Sequence, residues 1–101
     1  MTLHDEVRQR IAVVEEICRR YGVREIAVFG SALRLDAAEA HDLDLLVDFA
    51  PDAPVGFLAF ERLRRELSSA LGKPVDLVSR NGLKSAIRDD VLREAQVLYA
   101  A

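Results

Sequence analysis

With a single cysteine, Cys18, this 101-residue chain can form no internal disulfide. Small secreted domains rely on such bridges, so a reducing compartment is expected, and the cytoplasm fits it. No apolar run approaches the roughly 20 residues that a membrane-spanning helix requires. The opening Met1-Thr2-Leu3-His4-Asp5-Glu6 lacks the basic-then-apolar order of a secretion signal. Basic residues are outnumbered, 14 Lys and Arg against 17 Asp and Glu, for a net charge of −3. That balance argues against a broad basic surface for nucleic acid, though not against a local basic patch. Internal repeats, low-complexity segments and linkers are absent too. What is present is an ordinary globular mixture, 50% hydrophobic and 31% charged. The length supports one compact domain spanning 1–101, with one core.

Hydrophobic spacing divides the chain into elements. Leu3, Val7, Ile11, Val14, Cys18 and Tyr21 recur at helical intervals, with Thr2 placed to cap the helix and Gly22 to stop it. Arg24 to Phe29 reads as a strand ending at Gly30, and Ser31 to Leu35 as a helical turn before a polar loop through His41. Leu43 to Phe49 is apolar on both faces, as a covered central strand would be. Ala50 to Pro54 is a turn, and Phe57, Phe60, Leu63, Leu67 and Leu71 mark a second helix stopped by Gly72. Val75 to Val78 is a third strand. The last helix is placed within Ser85 to Leu98, with Ile87, Val91, Ala95 and Leu98 on one face. This order predicts an α/β (α+β) domain, a small mixed sheet with helices packed against it.

Three features of this chain carry chemistry. Gly30-Ser31 stands where a strand gives way to a helical turn, a place where backbone amides can meet a phosphate, or where serine is an ordinary cap. Asp42 and Asp44 open an apolar strand and, at positions i and i+2, face the same way roughly 6.6 Å apart. Two such carboxylates repel, and a hard divalent cation bound through oxygen would compensate. Solvated residues at a strand edge are the plainer alternative. Asp76 is alone in an apolar strand; beside the pair it supplies the third carboxylate of a two-metal site, or a base for an acceptor hydroxyl.

Gly30-Ser31, Asp42-x-Asp44 and a later Asp76 together resemble the DNA polymerase β-like nucleotidyltransferase superfamily, and within it the minimal nucleotidyltransferase antitoxins that partner HEPN-type toxins. The segments Val28 to Arg34, His41 to Val47, Val75 to Val78 and Val91 to Tyr99 carry the likeness. The resemblance implies that fold, with Gly30 and Ser31 holding a triphosphate and Arg34 available to a phosphate or to Asp36. It implies Asp42, Asp44 and Asp76 as catalytic carboxylates and ligands of Mg²⁺, two ions in all. It further implies transfer of AMP from ATP to a hydroxyl of a HEPN-type toxin, tyrosine by expectation, in a hetero-oligomer that touches neither membrane nor nucleic acid. A 101-residue domain has little surface for a second enclosed substrate pocket, which favours a macromolecular acceptor. Two other functions fit the same residues: an antitoxin that masks its toxin by contact alone, and a nucleotidyltransferase acting on an antibiotic.

Two positions depart from the family pattern. His41 stands where serine usually precedes the aspartates, and Leu35 where glycine commonly follows the arginine. Neither removes a carboxylate. Of the remaining polar residues, His4 reads as solvated, Cys18 as core, Asp48 as lying at the far end of its strand and Tyr99 as packing. Arg19-Arg20 and the Arg62, Arg64, Arg65 cluster read as solvated helix faces, with partner binding as the sharper alternative.

Overall fold

A computed structural model describes residues 10–30, 42–53, 55–83 and 85–101. Helix α1 (Ile11–Tyr21) buries Val14, Ile17 and Cys18, and ends at Gly22, whose φ of 70° is the left-handed conformation glycine tolerates. The helix starts at Ile11 with Arg10 at its N-cap, later than the apolar spacing from Leu3 predicts, and Thr2, the expected cap, lies outside the described residues. Strand β1 (Val23–Phe29) follows at once and pairs antiparallel with β2 (Leu43–Phe49). The Ala53 amide then donates to the Ala50 carbonyl at 3.0 Å, the expected turn. Helix α2 (Phe57–Leu71) buries Leu63, Leu67 and Leu71 before Gly72 stops it. Its crossover lets β3 (Val75–Ser79) run parallel to β2.

After a 3-10 turn (Arg80–Gly82), helix α3 (Ser85–Glu94) is shorter than its spacing predicts. Gln96 to Ala100 forms strand β4, antiparallel to β1, rather than the end of that helix. Its register shifts between Ile26 and Ala27, whose partners are Tyr99 and Val97, so Leu98 is the extra residue of a bulge. The four strands lie in the order β3-β2-β1-β4.

The two sheet faces are packed unequally. Leu43, Leu45 and Val47 of β2 join Ile26, Val28, Leu63, Leu67 and the α1 stripe in the main core. Cys18 and Tyr99 belong to it as well, both as expected from sequence. The opposite face holds a smaller cluster of Ala27, Leu46 and Leu83, against which Phe29, Val78, Val91 and Leu92 rest. Among the described residues this is the less covered face, between the sheet and α3, and the polar residues of interest emerge there.

Candidate active site

Strand register decides which carboxylates meet. Asp44 and Asp76 are direct partners across the parallel β2–β3 pair, so their Cα atoms stand about 4.8 Å apart. They share the strand parity of Leu46 and Val78, which point into the smaller cluster. Both line one open pocket of about 490 Å³, with Phe29, Val78, Leu83 and Ile87. The Leu43 amide donates to the Pro74 carbonyl at 2.9 Å and so ties the entry of β2 to that of β3.

Gly30 closes this end from β1. Its φ is 75°, and a Cβ built there would overlap the Asp44 carboxylate, with Asp44 Cγ 3.3 Å away. Glycine is therefore required twice, for the backbone and for the space the carboxylate occupies. Asp42 is exposed at the bend leading into β2 and does not line the pocket. Ser31, Arg34, Leu35 and His41 lie outside the described residues. Of the sequence-predicted site residues, the fold brings together Gly30, Asp44 and Asp76.

The donor set bears on the cation expected here. Asp44 and Asp76 offer hard oxygen ligands from neighbouring strands onto open space. Among the described residues, no three Asp, Glu, His or Cys side chains converge as a closed ligand cluster. Two oxygen donors lining one pocket fit Mg²⁺, which keeps several waters and shares phosphate oxygens.

Another carboxylate of β2 has a different fate. Asp48 is buried, near the opposite end of β2 from Asp44. The β1–β2 register shifts between Val23 and Glu25, which makes Arg24 a bulge residue. Arg24 donates through Nη2 to Asp48 Oδ2 at 2.5 Å, and Arg80 Nη1 of the 3-10 turn stands 3.6 Å from the same oxygen. The bulge re-aims Arg24, and Asp48 is thereby committed to an ion pair. Farther off, on α2, Arg64 bonds Glu61 at 2.5 Å, which together with the charge of Asp76 raises its affinity for its proton.

Sequence reasoning missed the α3 contribution. Ile87 and Val91 were expected on one helix face; that face lines the pocket beside the carboxylates, and Ile87 remains 49% exposed. An apolar helix stripe gives no signal of this kind until its partner surface is known.

A family model described as "Nucleotidyltransferase domain" matches residues 11–98. The chain belongs to the nucleotidyltransferase domain family. Among this domain's relatives is the protein adenylyltransferase MntA of Thermococcus cleftensis, 49% identical over 80 residues, which cover 79% of each chain. A solved structure provisionally described as a minimal nucleotidyltransferase superposes with a TM-score of 0.74 at 42% identity, covering 95% of both chains. The fold also matches a chain of tri-AMPylated Shewanella oneidensis HEPN toxin in complex with MNT antitoxin. That match has a TM-score of 0.68 and 22% identity, over 94% of this nucleotidyltransferase domain and 73% of the other chain. No described helix of this family member is long and apolar enough to cross a membrane.

Proposed function

We propose that this nucleotidyltransferase transfers AMP from ATP to a hydroxyl, tyrosine by expectation, of a HEPN-type toxin, and so acts as its antitoxin in a cytoplasmic hetero-oligomer. The observation that carries this reading is the in-register pair of Asp44 and Asp76 beside a Cβ-free Gly30, opening on one pocket. The relationship to a protein adenylyltransferase supports the reaction class, and the HEPN toxin complex of the same fold supports the partner.

Gly30 lets the β- and γ-phosphates approach the end of β1, with Ser31 and Arg34 as the polar contacts that follow. Asp44 and Asp76, with Asp42, hold Mg²⁺, two ions by expectation. When bound, Mg²⁺ supplies the positive charge that offsets the triphosphate and favours the deprotonated acceptor. Asp76 accepts the proton of the acceptor hydroxyl; that oxygen bonds to the α-phosphorus, the bond to the β-bridging oxygen breaks, and pyrophosphate departs. Because the pocket is open, the acceptor side chain can arrive on another protein.

The test is labelled-AMP transfer from ATP to the co-purified toxin with Mg²⁺. Wild type should label it and Asp44→Ala should not; equal labelling by both would overturn the reading. The Asp42→Ala/Asp44→Ala double variant separates catalysis from masking. Neutralisation by that variant would favour contact alone, whereas lost neutralisation with the complex intact favours catalysis.

A further inference from the structure

Among the described residues the sheet is bounded by two edge strands, β3 and β4, and they differ in how they are guarded. β3 follows Lys73-Pro74 and carries Asp76, residue types that keep a bare backbone from pairing with another chain. β4 reads Gln96-Val97-Leu98-Tyr99-Ala100, with no charge, proline or glycine. Within the described residues it pairs with β1 on one side and with no strand on the other. Tyr99 is buried, whereas Val97, opposite Ala27, stands 51% exposed beside that open edge.

We propose that β4 is the seam of a weak homodimer, in which two copies of this chain join edge to edge and antiparallel into one continuous sheet. A second copy presents the same bare edge, and an uncharged strand laid antiparallel on itself sets no like charges opposite each other. Pairing of β4 with another copy's β3 would lay Asp76 against an apolar strand and, being head-to-tail, would not close at two. The helices agree with the two-fold arrangement. α1 packs across β1 and β4. Its Arg10, Arg20 and Tyr21 bond residues of α2, so that flank of α1 faces away from β4. Glu15 and Arg19, paired with each other at 3.5 Å and both solvent-accessible, occupy the other flank. The two-fold axis of an antiparallel strand pair stands perpendicular to the sheet. It therefore sets α1 beside its copy on the same face, running the opposite way, with Glu15 of each turned toward Arg19 of the other. The five-residue strand and the bulge at Leu98 keep the ladder short. Such an interface falls below the ~1,200 Å² of standard complexes, so a dissociation constant on the order of 10 µM is expected. The seam lies at the opposite edge of the sheet from Asp76, leaves both carboxylate pockets open, and does not rest on the proposed reaction.

The test is sedimentation equilibrium of the full chain alone, from about 1 to about 200 µM, with amide hydrogen exchange measured at both ends of that range. It compares wild type, Val97→Lys and Phe57→Lys, the last an 83% exposed apolar residue at the start of α2, away from the seam. Wild type should move from the 11.2 kDa of one chain toward twice that mass as concentration rises. Exchange of the Gln96–Ala100 amides that do not pair with β1 should slow in step. Val97→Lys sets two ammonium groups across the seam and should weaken association at least about tenfold. Phe57→Lys should associate as wild type does. A chain that stays monomeric throughout overturns the inference. So does a dimer whose β4 amides exchange as fast as the monomer's, or an association that Phe57→Lys weakens as much as Val97→Lys. Should Val97→Lys fail to fold, the concentration dependence of wild-type exchange at β4 decides alone.

Discussion

Alanine at Gly30 separates the structural demand on that residue from its demand on chemistry, because Gly72 provides a matched control. Both have φ near +70°, 75° at Gly30 and 69° at Gly72. A side chain in that region costs about 1–2 kcal/mol. In a domain of this size, each kcal/mol lowers the melting temperature by about 4–8 °C, so both variants should melt roughly 5–15 °C below wild type. What the new Cβ meets differs. At Gly72 it comes within 2.8 Å of Arg10 Nη1, the far end of a flexible side chain that can swing away. At Gly30 it overlaps the Asp44 carboxylate, which is rooted in a strand and must shift. Misplacing a reacting group by about 1 Å can cost on the order of 100-fold in rate. Thermal melts and labelled-AMP transfer, read at a temperature where both variants are folded, give the comparison. Gly30→Ala should transfer at least about tenfold more slowly than Gly72→Ala at similar stability. Transfer rates within about threefold of each other would refute the placement of Asp44 at the reacting centre.

Other expectations follow from the same geometry. Arg24→Ala should lower the melting temperature more than Arg80→Ala, because Arg24 makes the 2.5 Å contact with buried Asp48 and Arg80 stands 3.6 Å away; the reverse order in a thermal melt would contradict the bulge argument. The Tyr21 hydroxyl and Arg20 both donate to Glu66 and hold its carboxyl below the usual glutamate range. That contribution is complete above the unfolded value of about 4.3 and is lost as pH falls through the folded one. The stability gap between wild type and Glu66→Gln should therefore narrow on acidification; a denaturation series showing a constant gap would count against the network. Burial, with a smaller effect from Glu15, pushes the Cys18 thiol up to about 12. Iodoacetamide at about pH 8 should leave native Cys18 unmodified and alkylate it in denaturant, and rapid native labelling would mean the core opens there.

The legible part of the fold was what local patterns carry. Apolar stripes closed by Gly22 and Gly72 gave the first two helices, and apolar runs bounded by turn residues gave three strands. The final strand was hidden because Ile87, Val91, Ala95 and Leu98 keep helical spacing with no glycine or proline between them. Pairing of Tyr99 with Ile26 overrides that pattern, and the bulge at Leu98 has no local signature. At the site, residue types pointed to carboxylates, but only the parallel register puts Asp44 opposite Asp76. Asp48 shares the face and parity of Asp44, and its different fate depends on a bulge that turns Arg24 toward it. Register and bulges arise from long-range pairing, which one-dimensional spacing does not encode.

The parallel pairing of β2 with β3 has a thermodynamic corollary. Asp44 and Asp76 sit on strands separated in sequence by all of α2, and they become neighbours only after that helix has crossed the sheet and docked. An unfolded chain holds the two carboxylates far apart and offers a cation no paired site. Ligands of this site therefore select the native state, and at 100 times its dissociation constant each would add about 2.7 kcal/mol to stability. Occupancy and integrity of the domain are in this way one linked equilibrium, set by a strand register rather than by any single contact.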